Sequence, residues 1–382
     1  MTSKERHEIR YQRRKANRLA KKTIRNKNHK LEDVISFGNL RRAFFSARKG
    51  SNWKASVQNY GCNLLRNTYN QRQKLLQGKD ITRGLVEFNI TERGKTRHIM
   101  AVHISERVVQ KSVCDNSLVP VMDKSLIYDN GASQKGKGTD FAANRFIMHL
   151  RKYYRCNGQS NEGYIIFGDG HDYFASQRHE IVRKNMDEAL TDKRVVNLTM
   201  TFIDPVPRGL SLGSQVNQIN AVAYANKIDH YIKEKLRCKY YGRYMDDWYV
   251  IVRTKEEAKH ILKVVSDMYE EIGITMNQKK TTIIKLSRPF TWLQDRYWLT
   301  DTGKVVRKPS RKNVTTNRRK LKKLSKKLQA GEISYADVRT FYASWKGYIK
   351  HKNAYKIEQS MDKLYNELFI RRFNDVFTTQ QD

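Results

Sequence analysis

From 33 to about 80 the apolar residues recur at three- and four-residue spacing, in "LEDVISFGNLRRAFFSARKG" and "SVQNYGCNLLRNTYNQRQKLL", which predicts two amphipathic helices. The period changes at "LVEFNITERGKTRHIMAV", where apolar and polar positions alternate and "ERGK" supplies a turn, so a β-hairpin is expected there. Residues 104–155 return to helical spacing on both sides of the Gly-rich loop "DNGASQKGKGTD". A strand-like run, "GYIIFGDGHDYF", fills 163–174, followed by a helix near 179–190, the loop "DPVPRGLSLGSQ" and a helix from about 214 to 236. "CKYYGRYMDDWYVIV" at 238–252 reads as a strand pair with "GRYMDD" at its turn. A helix at 255–272 and the strand-like "GITMNQKKTTIIKL" come next, and the last ninety residues read as mostly helical. This order predicts an α+β chain, with one sheet covered by helices on one face.

Charge narrows the partner. Lys and Arg number 75 against 38 Asp and Glu, a formal net charge of +37 spread along the whole chain, which points to a polyanion. No apolar run approaches the 18 to 20 residues of a membrane-spanning helix, so a membrane partner is not expected. The first 22 residues lack the apolar core of a secretory signal, and 1–32 reads as a basic arm that meets nucleic acid, with a solvated charged tail as the plainer reading. Cys62, Cys114, Cys156 and Cys238 are scattered singly, a pattern that indicates neither a zinc site nor a disulfide framework and suits a reducing compartment.

In so basic a chain, the acids at the centre need a reason. Forming a phosphodiester bond calls for an attacking hydroxyl and a triphosphate held in line while negative charge grows on both oxygens. Two Mg²⁺ ions about 4 Å apart do this, and they take hard oxygen ligands. Asp169 in "IIFGDGHDYF" and the adjacent Asp246 and Asp247 in "RYMDDWYV" are such ligands if their strands are neighbours. Successive strand residues face opposite ways, so Asp246 is expected as the direct ligand and Asp247 as the supporting one. Three close carboxylates would raise one another's pKa until a cation relieves them. Tyr-x-Asp-Asp alone is weak evidence, arising by accident in roughly one chain in twenty of this length. Asp172 suits a local cap better than a metal.

In company, these motifs resemble the reverse transcriptases of bacteria and phages. The ordered set runs through "ERGKTRHIMAVHISERVVQ", "DNGASQKGKGTD", "FGDGHDYF", "RYMDDWYV" and "GITMNQKKT", roughly residues 85 to 365. The resemblance implies a right-handed polymerase with fingers, a palm built on an antiparallel sheet and a helical thumb. It places Lys95 and Arg97 at the triphosphate, where surface charge is the plainer reading. It makes Phe174 the ring that excludes a ribose 2′-OH, where a core aromatic is the alternative. Tyr244 belongs to the signature box, and Lys280 matches the lysine of the following block. "LSLGSQVNQINAVAY" and "FYASWKGYIKHKNAYK" are most like the enzymes of diversity-generating retroelements, although Asn217 replaces the usual Ser, and "WLQDRYW" the usual Phe-Leu-Gly pattern. Gln218 then stands where a side chain can set fidelity, with helix capping as the plainer role.

The expected organisation is a basic arm (1–32), fingers (33–160), a catalytic palm (161–288) and a basic helical thumb (289–382). In the thumb, Tyr342, Trp345 and Tyr348 would combine packing with contact to the nucleic-acid backbone. The expected activity is RNA-directed DNA synthesis with two Mg²⁺, for which Mn²⁺ can substitute, on dNTPs, a template RNA and the RNA–cDNA hybrid. The retroelement resemblance implies error-prone copying at template adenines and a small basic helical-bundle accessory protein, in the cytoplasm of a bacterial or phage-infected cell. The alternatives are a reverse transcriptase of phage defence, of retron or abortive-infection type, and a non-catalytic RNA-binding scaffold.

Overall fold

In the computed structural model, which describes residues 2–92 and 94–371 with backbone alone at 92, 95 and 371, five helices precede the hairpin. They are α1 (Ser3–Arg25), α2 (Leu31–Val34), α3 (Phe37–Ala47), α4 (Ala55–Cys62) and α5 (Leu64–Leu76). The two helices expected after 33 are therefore four, the first divided at Ile35 and Ser36 and the second at Asn63. Thr2 and Glu5 start α1 by a reciprocal capping box, Thr2 N donating to Glu5 Oε2 at 2.7 Å and Glu5 N to Thr2 Oγ1 at 3.3 Å. None of the 23 residues of α1 is buried. Just past its end the buried Asn26 ties it down, donating from Nδ2 to the Ala189 carbonyl at 3.1 Å.

The hairpin pairs β1 (Leu85–Glu92) with β2 (Lys95–Val102) in antiparallel register from Leu85↔Val102 to Glu92↔Lys95. After α6 (Ile104–Val113), a single π turn, α7 (Val119–Met122) and the Gly-rich loop comes α8 (Thr139–Cys156). Next in order are β3 (Tyr164–Asp169), α9 (His179–Ala189), α10 (Lys193–Thr201), α11 (Gln215–Tyr224) and α12 (Asn226–His230). The helix expected over 214–236 is thus broken at Ala225 and ends in a π turn over Tyr231–Lys235. The strands β4 (Tyr241–Tyr244) and β5 (Asp247–Val252), α13 (Lys255–Glu271) and β6 (Thr282–Lys285) complete a four-stranded sheet of order β4-β5-β3-β6.

Beyond it the structure departs from the expected helices. Phe290–Trp292 (β7), Asp295–Leu299 (β8) and Val305–Pro309 (β9) form a three-stranded antiparallel sheet, and helices resume only with α14 (Arg311–Gln329), α15 (Tyr335–Ile349) and α16 (Tyr355–Asn366).

The chain divides into two compact units. The first comprises residues up to Ala142, Phe167–Val250 and Lys259–Thr282; the second comprises Ala143–Ile166, Ile251–Ala258 and Ile283 onward. In the first, α11 buries eight of its ten residues. In the second, Leu321, Val338, Tyr342, Trp345, Met361 and Tyr365 form the helical core. The Tyr342 ring stacks on Tyr365 with centroids 4.2 Å apart. Tyr342 and Trp345 are therefore buried in the helical core, and the Tyr342 hydroxyl donates to Asp362 at 2.7 Å, so neither ring faces a phosphate backbone. Tyr348 is partly exposed, and its hydroxyl donates to Asp295 at 2.7 Å.

Candidate active site

Tyr244 and Asp247 are the last paired residues of β4 and β5, so Met245 and Asp246 make a two-residue turn. Met245 has φ 55°. That left-handed conformation matches the twist of the strands but is normally supplied by glycine, and a side chain there costs about 1–3 kcal/mol. The neighbouring strand end is fixed from both sides. Gly170 N donates to the Asp246 carbonyl at 3.3 Å, and Asn277 N to the Asp169 carbonyl at 2.8 Å. Closer approach of β3 and β5 is permitted by Gly168, where a Cβ would lie 2.1 Å from the Trp248 ring.

This packing brings Asp169, Asp246, Asp247 and Lys280 together within the first unit. Asp169 is buried, and Lys280 Nζ, on a half-exposed side chain, donates to its Oδ2 at 2.6 Å. Burial first, and then the negative charges of Asp246 and Asp169, push the Asp247 carboxyl up to about 7, and a hydrogen bond with Asp169 adds to this. Burial pulls the Lys280 ammonium down, but its hydrogen bond to Asp169 and the charges of the three acids outweigh that and raise it. Asp247 thus shares a hydrogen bond with Asp169, and Asp246 stands beside them at the turn.

Among the described residues no three carboxylate, imidazole or thiol side chains converge into a ready cation cage. The donor set still suits a hard divalent cation. It consists of oxygens alone, crowded enough to hold a proton on one carboxyl near neutrality, with an ammonium already drawn to another.

The raised Asp247 group carries a stability consequence. A carboxyl favoured in its protonated form by the fold contributes fully at low pH and loses that contribution as pH rises through about 7. In EDTA, Asp247→Asn should therefore melt higher than the wild type at pH 8, by about 5 °C, and the gap should narrow steadily below pH 7 and close only near pH 4. Parallel melting profiles across that range would contradict the assignment.

A family model described as reverse transcriptase (RNA-dependent DNA polymerase) matches residues 89–294, more than half of the chain, including all three acids and Lys280. The chain belongs to the reverse transcriptase family. It has the right-hand polymerase fold of that family. No curated protein sequence matches it. Among solved structures, an apo telomerase from Candida tropicalis truncated from its C-terminal domain aligns at 14% identity and TM-score 0.45, covering 58% of this chain and 54% of that one. Telomerase from Candida albicans in complex with a TWJ fragment of telomeric RNA aligns at 11% identity and TM-score 0.48, covering 81% and 65%. The reverse transcriptase thus spans less than two thirds of either telomerase chain.

The remaining sequence-derived positions of the reverse transcriptase are spread around this centre. Arg97 is exposed on β2 opposite Ile90, while the Lys95 side chain lies outside the described residues. The hairpin is tied to the loop before α11, Met100 N donating to the Leu212 carbonyl at 3.0 Å. Gln218, exposed on α11, reaches that loop's neighbour, donating from Nε2 to Ser133 Oγ of the Gly-rich segment at 2.8 Å. Asn217 is buried instead and donates to Ser211. Phe174 is partly exposed, so it is not a core ring; the buried ring is Tyr173. Tyr244 is half-buried beside the turn. Asp172 is exposed and left-handed at φ 45°.

Sequence reasoning missed the support beneath the reverse transcriptase turn. The fully buried Arg243 guanidinium meets Asp229 of α12 through Nε at 2.8 and 3.1 Å and Nη2 at 2.7 Å. Its Nη1 donates to the Met245 carbonyl at 3.0 Å, and Nη2 also donates to the Val222 carbonyl at 2.8 Å. Arg243 so anchors the strained peptide to two helices. Its position directly before the signature box was the only available signal, and an arginine in so basic a chain reads as surface.

Proposed function

We propose that this reverse transcriptase copies a structured template RNA into cDNA for a diversity-generating retroelement, with error-prone incorporation opposite template adenines. Asp169, Asp246 and Asp247 would hold two Mg²⁺ ions, with Mn²⁺ able to substitute. Bound there, the metal supplies Lewis-acid charge for the attacking 3′-hydroxyl and the departing pyrophosphate. The protein's own contribution is positioning. The Arg243 tether sets the turn that presents Asp246, and Lys280 offsets the negative charge on Asp169. Arg97, with Lys95, would receive the triphosphate from the hairpin, and Phe174 would exclude a 2′-OH by contact. Basic surface such as the exposed face of α14, a helix of 19 residues with nine Lys or Arg, would hold the hybrid through its phosphates without reading sequence.

The observation that carries the retroelement reading is Gln218. It is exposed on α11 and bonded to the Gly-rich loop, so it can meet a nascent base pair, whereas its neighbour Asn217 is committed to the interior. The test is dNTP incorporation with Mg²⁺ on a primed RNA, followed by sequencing of the product. Errors at template adenines should exceed those at the other three bases by on the order of tenfold or more. Errors spread evenly over the four bases would sink this reading and leave a polymerase of phage defence. A small basic helical-bundle partner and a bacterial cytoplasmic setting belong to the same proposal.

A further inference from the structure

The segment before the family match carries an unusual surface. Residues 34–79 contain nine Lys or Arg and no Asp or Glu. On α3 and its C-cap, Phe37, Arg41, Phe45 and Arg48 follow i, i+4, i+8, i+11 spacing, and on α5, Leu65, Tyr69 and Arg72 follow i, i+4, i+7, so each set forms one stripe along its helix. Both stripes face solvent: Phe37 is 44%, Phe45 38%, Tyr69 51% and Leu65 75% exposed, and Trp53 in the loop before α4 is 76% exposed. An outward apolar stripe is the reverse of what a helix needs to join its own core.

The rings are arranged as platforms and paired with cations. Phe37 and Tyr69 lie nearly parallel across the two helices, 16° apart with centroids at 6.3 Å, and the Arg72 guanidinium sits 5.5 Å from the Phe37 ring. Arg48 lies 4.6 Å from the Phe45 ring and Arg41 5.5 Å from it, while Lys54 stands 5.4 Å from Trp53. Between α3 and α4, Phe44, Phe45, Arg48, Asn52 and Gln58 help line an open cleft of about 370 Å³, within the range that accepts a small organic ligand.

We propose that this face of α3, α4 and α5 binds single-stranded RNA, its bases stacking on Phe45, Trp53 and the Phe37–Tyr69 pair and its phosphates meeting the interleaved arginines and lysines. Flat rings serve every base, and guanidinium groups over them add cation–π attraction. A protein partner fits less well. Its apolar core would strip water from these guanidiniums, and no acid in 34–79 could compensate them, whereas RNA brings its own negative charge with each base. The face lies outside the segment matched by the family model, residues 89–294, so the polymerase chemistry does not account for it. The proposal rests on the enzyme being an RNA-using polymerase and assigns to this face the capture of unpaired template or flanking RNA.

The test uses the full chain, a fluorescein-labelled mixed-sequence 12-nucleotide RNA and an RNA–DNA hybrid of equal length, in EDTA without dNTPs. Single substitutions Phe45→Ala, Trp53→Ala and Tyr69→Ala should each weaken single-strand binding about tenfold and change hybrid binding by less than about twofold. Trp53→Phe and Tyr69→Phe keep a ring and should keep the affinity, which separates lost stacking from lost folding. Unchanged single-strand affinity in the triple alanine variant overturns the proposal. So does an equal loss on strand and hybrid, which would mark general electrostatics, and so does loss of a co-purifying protein with RNA affinity intact. Incorporation at saturating primed hybrid is read separately. None of the three rings belongs to the catalytic centre, so that rate should stay within about twofold, and its absence in the wild type would count against the polymerase reading and not against this face.

Discussion

Asp246→Ala should abolish nucleotide incorporation, lowering the rate on the order of a thousandfold or more, while shifting the melting temperature little. The side chain of Asp246 is only partly buried at the turn, and the backbone bond from Gly170 to its carbonyl survives the change, so the fold has little to lose. On the proposed two-metal chemistry, the site loses an oxygen ligand at the point where charge develops. Asp169→Asn should be as severe in rate and also break the 2.6 Å ion pair to Lys280. Asp172→Asn is the internal control, since that carboxylate is exposed and faces His171; its variant should retain activity within about twofold. Incorporation that persists in Asp246→Ala, measured by single-turnover primer extension, would remove these acids from the mechanism.

Arg243→Ala should destabilise the protein by about 3–5 kcal/mol, the usual consequence of leaving a buried charge without its partner. Both members of the Arg243–Asp229 pair are fully buried, and Tyr241 also donates to the Asp229 carboxylate, so water cannot replace what is removed. Asp229→Ala should cost a similar amount, and the double variant clearly less than the sum, because each single change strands the other charge. Urea unfolding of the four proteins reads this directly. Activity should suffer beyond stability: at a temperature where Arg243→Ala remains folded, the untethered Met245 peptide should lower kcat more than it raises KM. Additive stability losses, or full kcat in the folded variant, would refute the tether.

These two sites differ in how visible they were. The acids announced themselves because the strands that carry them are short apolar runs rich in β-branched and aromatic residues and because the motifs occur in order; the hairpin at 85–102 and the strands around Asp169 and Asp247 form where the pattern placed them. The support under the turn was hidden because burial of a charged residue leaves no mark in a sequence pattern. The same physics hid the three-stranded sheet after 290. Along β8 the inward positions are Asp295, Tyr297 and Leu299, and along β9 they are Val305, Arg307 and Pro309. Arg307 Nε bonds Asp295 at 2.7 Å, and Lys352 does so at 2.5 Å, so the core of that sheet carries charges where a strand pattern looks for apolar residues. The short α10 was unmarked for another reason: "KRVVNLTMT" is rich in β-branched residues, and the packing of Val195, Val196 and Leu198 overrides their weak helical preference. Asn217 and Gln218, neighbours on α11, could not be assigned to interior and surface until the helix was placed.

The contact between Gly168 and Trp248 ties two distant stretches of the gene to a common fate. Any side chain at 168 collides with the indole at 2.1 Å, and any smaller ring at 248 leaves a void beneath the strand bearing Asp169. Neither codon can drift alone without penalty, so descendants of this chain should either keep both residues or exchange both at once, and a library built to diversify the polymerase must vary these two positions as a pair.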